Sequence, residues 1–167
     1  IDIVRNDKVV NISDIKRNNI GGSKTINNIR FQNRYAYLAC GFGIVVVDLQ
    51  REEIKETYYL GDNGTYLNIN DIAFTDSLIV AATDNGILYA PKTSTLLNVA
   101  TSWTHDETSL LAGQTVTALD VDAAGRIIAK ASAVGADTTV YVQNAAMTFA
   151  PLTSGNIRSA KHTKGRL

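Results

Sequence analysis

Short apolar runs of four to seven residues alternate along the chain with glycine- and Asx-bearing turns, and the arrangement returns at a regular interval. Ile26-Asn27-Asn28-Ile29-Arg30-Phe31 is followed by Tyr35-Ala36-Tyr37-Leu38-Ala39-Cys40, by Gly41-Phe42-Gly43 and by Ile44-Val45-Val46-Val47. Ile69-Asn70-Asp71-Ile72-Ala73-Phe74 leads in the same way to Leu78-Ile79-Val80-Ala81-Ala82-Thr83, Asp84-Asn85-Gly86 and Ile87-Leu88-Tyr89-Ala90. Ile29 and Ile72 are 43 positions apart, as are Gly43 and Gly86. One offset shared by two motifs marks an internal repeat. A third copy runs Val116-Thr117-Ala118-Leu119-Asp120-Val121, turns at Ala123-Ala124-Gly125 and resumes at Arg126-Ile127-Ile128-Ala129-Lys130-Ala131, with Leu119 lying 47 positions after Ile72. A fourth is expected to open at Ile157-Arg158-Ser159-Ala160, since Gly165 follows Gly125 by 40 positions. Ile1-Asp2-Ile3-Val4 and Lys8-Val9-Val10-Asn11-Ile12 read as the last two strands of a preceding copy.

The runs are rich in Ile, Val, Leu, Tyr and Thr, the residues that suit a pleated surface. Ile29-x-Phe31 alternates like a strand with one buried face, whereas residues 44–47 and 78–82 are continuously apolar, as strands buried on both faces are. Four strands in 40 to 47 residues give the blade of a β-propeller. The expectation is therefore an all-β propeller portion: about three four-stranded antiparallel blades at 25–67, 68–111 and 112–155. Residues 1–24 would end a preceding blade and 156–167 would start the next. Turn glycines such as Gly43 and Gly86 supply positive φ between second and third strands. Blade geometry should gather residues 21–24, 41–43, 61–64, 84–86, 105–107 and 132–137 on one rim. Lys24, Phe42, Asp62, Asn63, Asp84, Asn85 and His105 are the candidate binding residues there. Three blades cannot close a ring, so this stretch alone should expose apolar faces and self-associate.

Sixteen basic and sixteen acidic side chains cancel, so no overall field favours nucleic acid or anionic membrane. Basic residues gather towards both ends, as Lys8, Lys16, Arg17 and Lys24 and as Arg158, Lys161, Lys164 and Arg166, and read as solvated edges. No apolar run reaches the roughly 20 residues of a membrane helix, and none forms an export leader. Ile1 is not a translation start, so any export signal would have been removed. Signs of catalysis are weak. His105 and His162 fall in no metal-binding spacing, and Ser94, Thr95 and Ser109 lack a nucleophile elbow. Asp62-Asn63-Gly64 and Asp84-Asn85-Gly86 lack the spaced oxygens and distal glutamate of a calcium loop and read as turns. Cys40, the single cysteine, sits in an apolar segment with no adjoining cation and reads as a buried thiol. Phe42, between two glycines at a hairpin tip, is read either as inter-blade packing or as a ring that stacks on a sugar. Trp103, Tyr58 and Tyr59 read as inter-blade packing. No enzyme, metal or cofactor is expected.

The stretch from Asn11-Ile12-Ser13-Asp14-Ile15-Lys16-Arg17 through Gly41-Phe42-Gly43-Ile44-Val45-Val46-Val47-Asp48-Leu49 and Glu53-Ile54-Lys55-Glu56-Thr57-Tyr58-Tyr59 to Trp103 is similar to the amino-terminal propeller of the PorZ family of the type IX secretion system. The likeness covers about residues 8 to 103, with blade periodicity alone beyond. It implies an exported protein at the outer-membrane surface or periplasm, acting as a scaffold in a complex that attaches cargo to anionic lipopolysaccharide. Its partners would be other subunits of that complex. Saccharide contact is implied only for a carboxy-terminal β-sandwich outside this chain, and neither nucleic acid nor membrane insertion is implied. Ala39-Cys40 departs from the small hydroxyl residues expected before the Gly-Phe-Gly turn. The alternative is the periplasmic ligand-sensing propeller of a hybrid two-component histidine kinase, which a downstream kinase would reveal. A polysaccharide-acting propeller enzyme would need His, Tyr or Arg side chains at the channel mouth, where Asn28, Asn70 and Thr117 stand instead.

Overall fold

The computed structural model describes residues 1–17 and 19–155. The expected fourth copy, from Ile157 onward, and His162 lie outside them. The repeat emerges as three four-stranded antiparallel sheets, each a simple meander. The first holds β3 (Ile26–Gln32), β4 (Tyr35–Cys40), β5 (Gly43–Asp48) and β6 (Glu53–Tyr58). The second holds β7 (Ile69–Phe74), β8 (Leu78–Thr83), β9 (Gly86–Pro91) and the short β10 (Thr104–His105). The third holds β11 (Thr115–Val121), β12 (Ile127–Ser132), β13 (Thr138–Ala145) and β14 (Thr148–Gly155). Ahead of them, β1 (Asp2–Arg5) and β2 (Lys8–Asn11) pair as an antiparallel ribbon, and one helical turn, α1 (Asp14–Arg17), leads towards the first sheet.

Alternate residues of the central strands face opposite ways, which is why β5 is buried along its whole length. Ala39, Ile44 and Val46 turn towards the second sheet, where they pack with Ile69, Ile72, Ile79 and Ala81. Leu38, Cys40, Val45 and Val47 turn the other way and pack with Ile12 and Phe42. The second sheet repeats the device, with Val80, Ala82 and Ile87 packed against Leu119, Ile127 and Ala129 of the third. The first two sheets thus bury both faces, as their unbroken apolar runs foretold. Tyr58 and Trp103 lie between the first two sheets with ring centroids 6.4 Å apart, in the inter-blade packing expected of them.

The alternation read in β3 has the opposite sense. Ile29 and Phe31 are 43% and 68% exposed, while Asn28 and Arg30 are half-buried. The apolar pair faces the β1–β2 ribbon, and a cavity of about 330 Å³ lies between the ribbon and this face. The polar pair faces the second sheet, where partners await it.

Candidate functional site at the channel and rim

Innermost strands β3, β7 and β11 share one irregularity, an extra residue at the same place in each: Asn27, Asn70 and Thr117. A bulge re-aims a side chain out of the ladder. Here it aims two asparagines at the next sheet. Asn27 Nδ2 donates to the Ile69 carbonyl at 2.8 Å, and Asn70 Nδ2 donates to the Val116 carbonyl at 2.9 Å. Residue for residue this is one contact, made twice along the ring.

Beside the second bulge stands Asp71, wholly buried. Its carboxylate accepts from Arg30 Nε at 2.8 Å and Nη2 at 2.6 Å, Asn28 Nδ2 at 2.8 Å, the Ile72 N–H at 2.7 Å and the Leu119 N–H at 2.9 Å. Arg30 Nη2 also donates to the Leu119 carbonyl at 2.6 Å. Asp71 therefore joins three consecutive sheets at the inner wall. Its hydrogen bond, foremost, outweighs the burial of the Arg30 guanidinium and raises that group's pKa further. A charge so far removed from water is tolerable only when saturated in this way.

At the rim, the β8–β9 hairpin, the 60–68 connection and the approach to β10 enclose a pocket of about 300 Å³ lined by Leu60, Asp62, Thr65, Tyr66, Leu67, Asn85, Leu88 and His105. His105 Nε2 lies 2.8 Å from the Asn85 carbonyl, which fixes the imidazole at the pocket wall. Asp84, one residue before Asn85, is held by the Asn68 amide at 3.1 Å and the Asn70 amide at 2.9 Å. The bulge asparagine thus ties the rim to the channel ladder. Tyr66 is 46% exposed, and its ring meets that of Tyr59 edge-on at 5.5 Å.

The model of the PorZ N-terminal β-propeller domain of the type IX secretion system matches residues 1–104. The chain belongs to the PorZ amino-terminal propeller family. The solved structure of PorZ, described as an essential bacterial surface component of the type-IX secretion system of Porphyromonas gingivalis, is 26% identical and superposes with a TM-score of 0.72. That match covers 88% of this chain and 18% of the PorZ chain, so the sequence spans under a fifth of its solved relative. No curated protein matches the chain significantly in sequence.

In this PorZ-family propeller three of the expected rim residues, Asp62, Asn85 and His105, line one pocket, and Asp84 buttresses it. Asn63 is exposed on the neighbouring turn with a left-handed φ of 56° and does not line the pocket. Lys24 lies apart, lining a different cavity with Lys16 and Arg17 and donating to the Lys16 carbonyl at 3.1 Å. Phe42 requires a correction. It is fully buried, so its ring offers no surface to a sugar. The 21–24 loop folds over the hairpin tip, placing Gly22 against the Phe42 Cβ and Ser23 against Gly41. The aromatic ring open at this rim is Tyr66, which occupies the linker between the first two sheets; the equivalent linker, residues 106–114, holds no aromatic residue, so Tyr66 gave no repeat signal. Arg30 and Asp71 were missed as well.

Cys40 is buried, and burial pushes its thiol up to about 12, which removes it from thiolate chemistry at neutral pH. Among the described residues no group of three or more His, Cys, Asp or Glu is placed to hold a metal ion, and no helix is long and apolar enough to cross a membrane.

Proposed function

We propose that this propeller is a non-catalytic scaffold of an exported cell-surface protein, and that it makes protein–protein contacts in a type IX secretion and attachment complex that handles anionic lipopolysaccharide. The family match over residues 1–104 carries the reading. The channel wall agrees with it. Arg30 and Asp71, strongly polar side chains of the inner strands, are spent on one another and on the backbone, so they hold blades together instead of turning over a substrate. Lipopolysaccharide contact, on this reading, belongs to parts of the protein beyond this chain. Cross-linking mass spectrometry of the full-length protein in its native envelope tests the assignment: links from the propeller to other secretion subunits are expected. Propeller residues that link only to their own polypeptide would refute it.

A further inference from the structure

The rim pocket at Asp62 has a chemistry that scaffolding alone does not explain. Its floor is apolar, formed by Leu60, Leu67 and Leu88, and Tyr66 stands half-exposed at its edge. Above the floor the Asp62 carboxylate and the Asn85 side-chain amide make no hydrogen bond among the described residues, although each lines the cavity. The field around them has one sign. The segments 60–68, 83–86 and 104–115 carry Asp62, Asp84, Asp106 and Glu107 and not one lysine or arginine. Asp84 is held by neutral amides, and Asp106 by the hydroxyl and N–H of Ser109, so neither charge is compensated. The one lysine or arginine between positions 57 and 125 is Lys92, which donates to the Thr75 carbonyl at the opposite end of the second sheet, and the pocket's histidine, His105, has its Nε2 turned to the Asn85 carbonyl.

An anion entering this pocket would meet uncompensated negative charge with no donor cation to receive it. A basic side chain meets what it needs. Its aliphatic stem lies along leucine, its charge faces a carboxylate, and a tyrosine ring supplies an electron-rich face. We propose that this pocket receives an arginine or lysine side chain presented by a partner protein. This rests on the scaffold reading above and assigns one contact within it.

Binding of N-acetyl-arginine methylamide to the full-length protein, compared by NMR titration with its neutral isostere N-acetyl-citrulline methylamide, tests the proposal. The arginine compound should bind about fivefold more tightly, the gain from a surface carboxylate and an aromatic face together. That preference should disappear in Asp62→Asn, shrink in Tyr66→Leu and weaken with added salt. Asp62 is exposed, so an unchanged melting temperature verifies that the variant is folded. Equal binding of the two probes, binding of neither, or a preference that survives Asp62→Asn overturns the proposal. Tighter binding of methyl glucoside than of the arginine probe does so too. If the probes fail while propeller-to-subunit cross-links persist, the pocket assignment falls and the scaffold stands; if the cross-links are absent, the scaffold reading falls by itself.

Discussion

Replacing Asp71 by asparagine keeps the shape of the side chain and removes its charge, which isolates what the carboxylate does for the ring. Two oxygens now accept five hydrogen bonds from Arg30, Asn28, Ile72 and Leu119. In the variant one oxygen becomes an amino group, and whichever way the amide turns, its hydrogens confront donors that were previously satisfied. Removing one partner of a buried ion pair costs about 3–5 kcal/mol. Arg30 keeps 30% of its side chain exposed and can recover part of its hydration, which lowers the expected loss to about 2–4 kcal/mol. Against a net stability of roughly 5–15 kcal/mol for a domain, that is a large fraction. The assay is urea unfolding of the protein with its complete propeller, with Arg30→Met and the double variant closing the cycle. A coupling energy of about 1–2 kcal/mol between the sites is expected, since they share a network. The loss should change little with salt, because the carboxylate is wholly buried. A loss under about 1 kcal/mol for Asp71→Asn would refute the argument that this carboxylate binds three sheets together.

Gly86, at φ +87°, should tolerate valine only at a cost of about 1–3 kcal/mol, whereas Gly43→Ala should force β6 away from β5, because an added Cβ would overlap the Tyr58 carbonyl oxygen; thermal melts of both variants measure this. Cys40 should resist iodoacetamide at pH 8 in the native protein and react fully in urea, and rapid native labelling would contradict its burial. Stability should fall in acid. Burial alone would raise the Asp48 carboxyl, but the Arg51 and Gln50 N–H groups and the Arg34 guanidinium outweigh it, and the Arg126 and Ala124 N–H groups with the Arg126 side chain do the same for Asp122. Both carboxyls thus titrate below their unfolded value of about 3.9, so their contribution is present above that pH and is lost as pH falls through the folded values. Urea midpoints that drop below about pH 4 in the parent and less steeply in Asp122→Asn would bear this out.

The sheets were legible because apolar runs and turn glycines recur every 40 to 47 residues, and Gly43 and Gly86, between second and third strands, have the positive φ that the pattern required. The sense of burial in β3 was not. Alternation says that two faces differ and leaves open which neighbour covers which, and here the polar face of Asn28 and Arg30 is the one with a sheet against it. The channel ladder was half visible: Asn27-Asn28 and Asn70-Asp71 share the 43-residue offset. Its strongest member was hidden because Ala73 and Asp120 occupy the positions equivalent to Arg30, and because Asp71 bonds the third sheet through the backbone of Leu119. Comparison of repeats finds what recurs, and these contacts do not. Phe42 misled for a related reason. It is equivalent to Asn85, and whether such a hairpin tip is open depends on how the preceding connection lies: residues 21–24 close over Phe42, whereas 60–68 leaves a pocket beside Asn85.

The central claim is that this propeller holds a type IX secretion assembly together. Affinity purification of the full-length protein from its own bacterium, with and without the propeller and with the remaining domains intact, tests it most directly. Loss of the partner subunits on removing the propeller, with the truncated protein still exported and folded, is the predicted result. An unchanged set of partners would contradict the account.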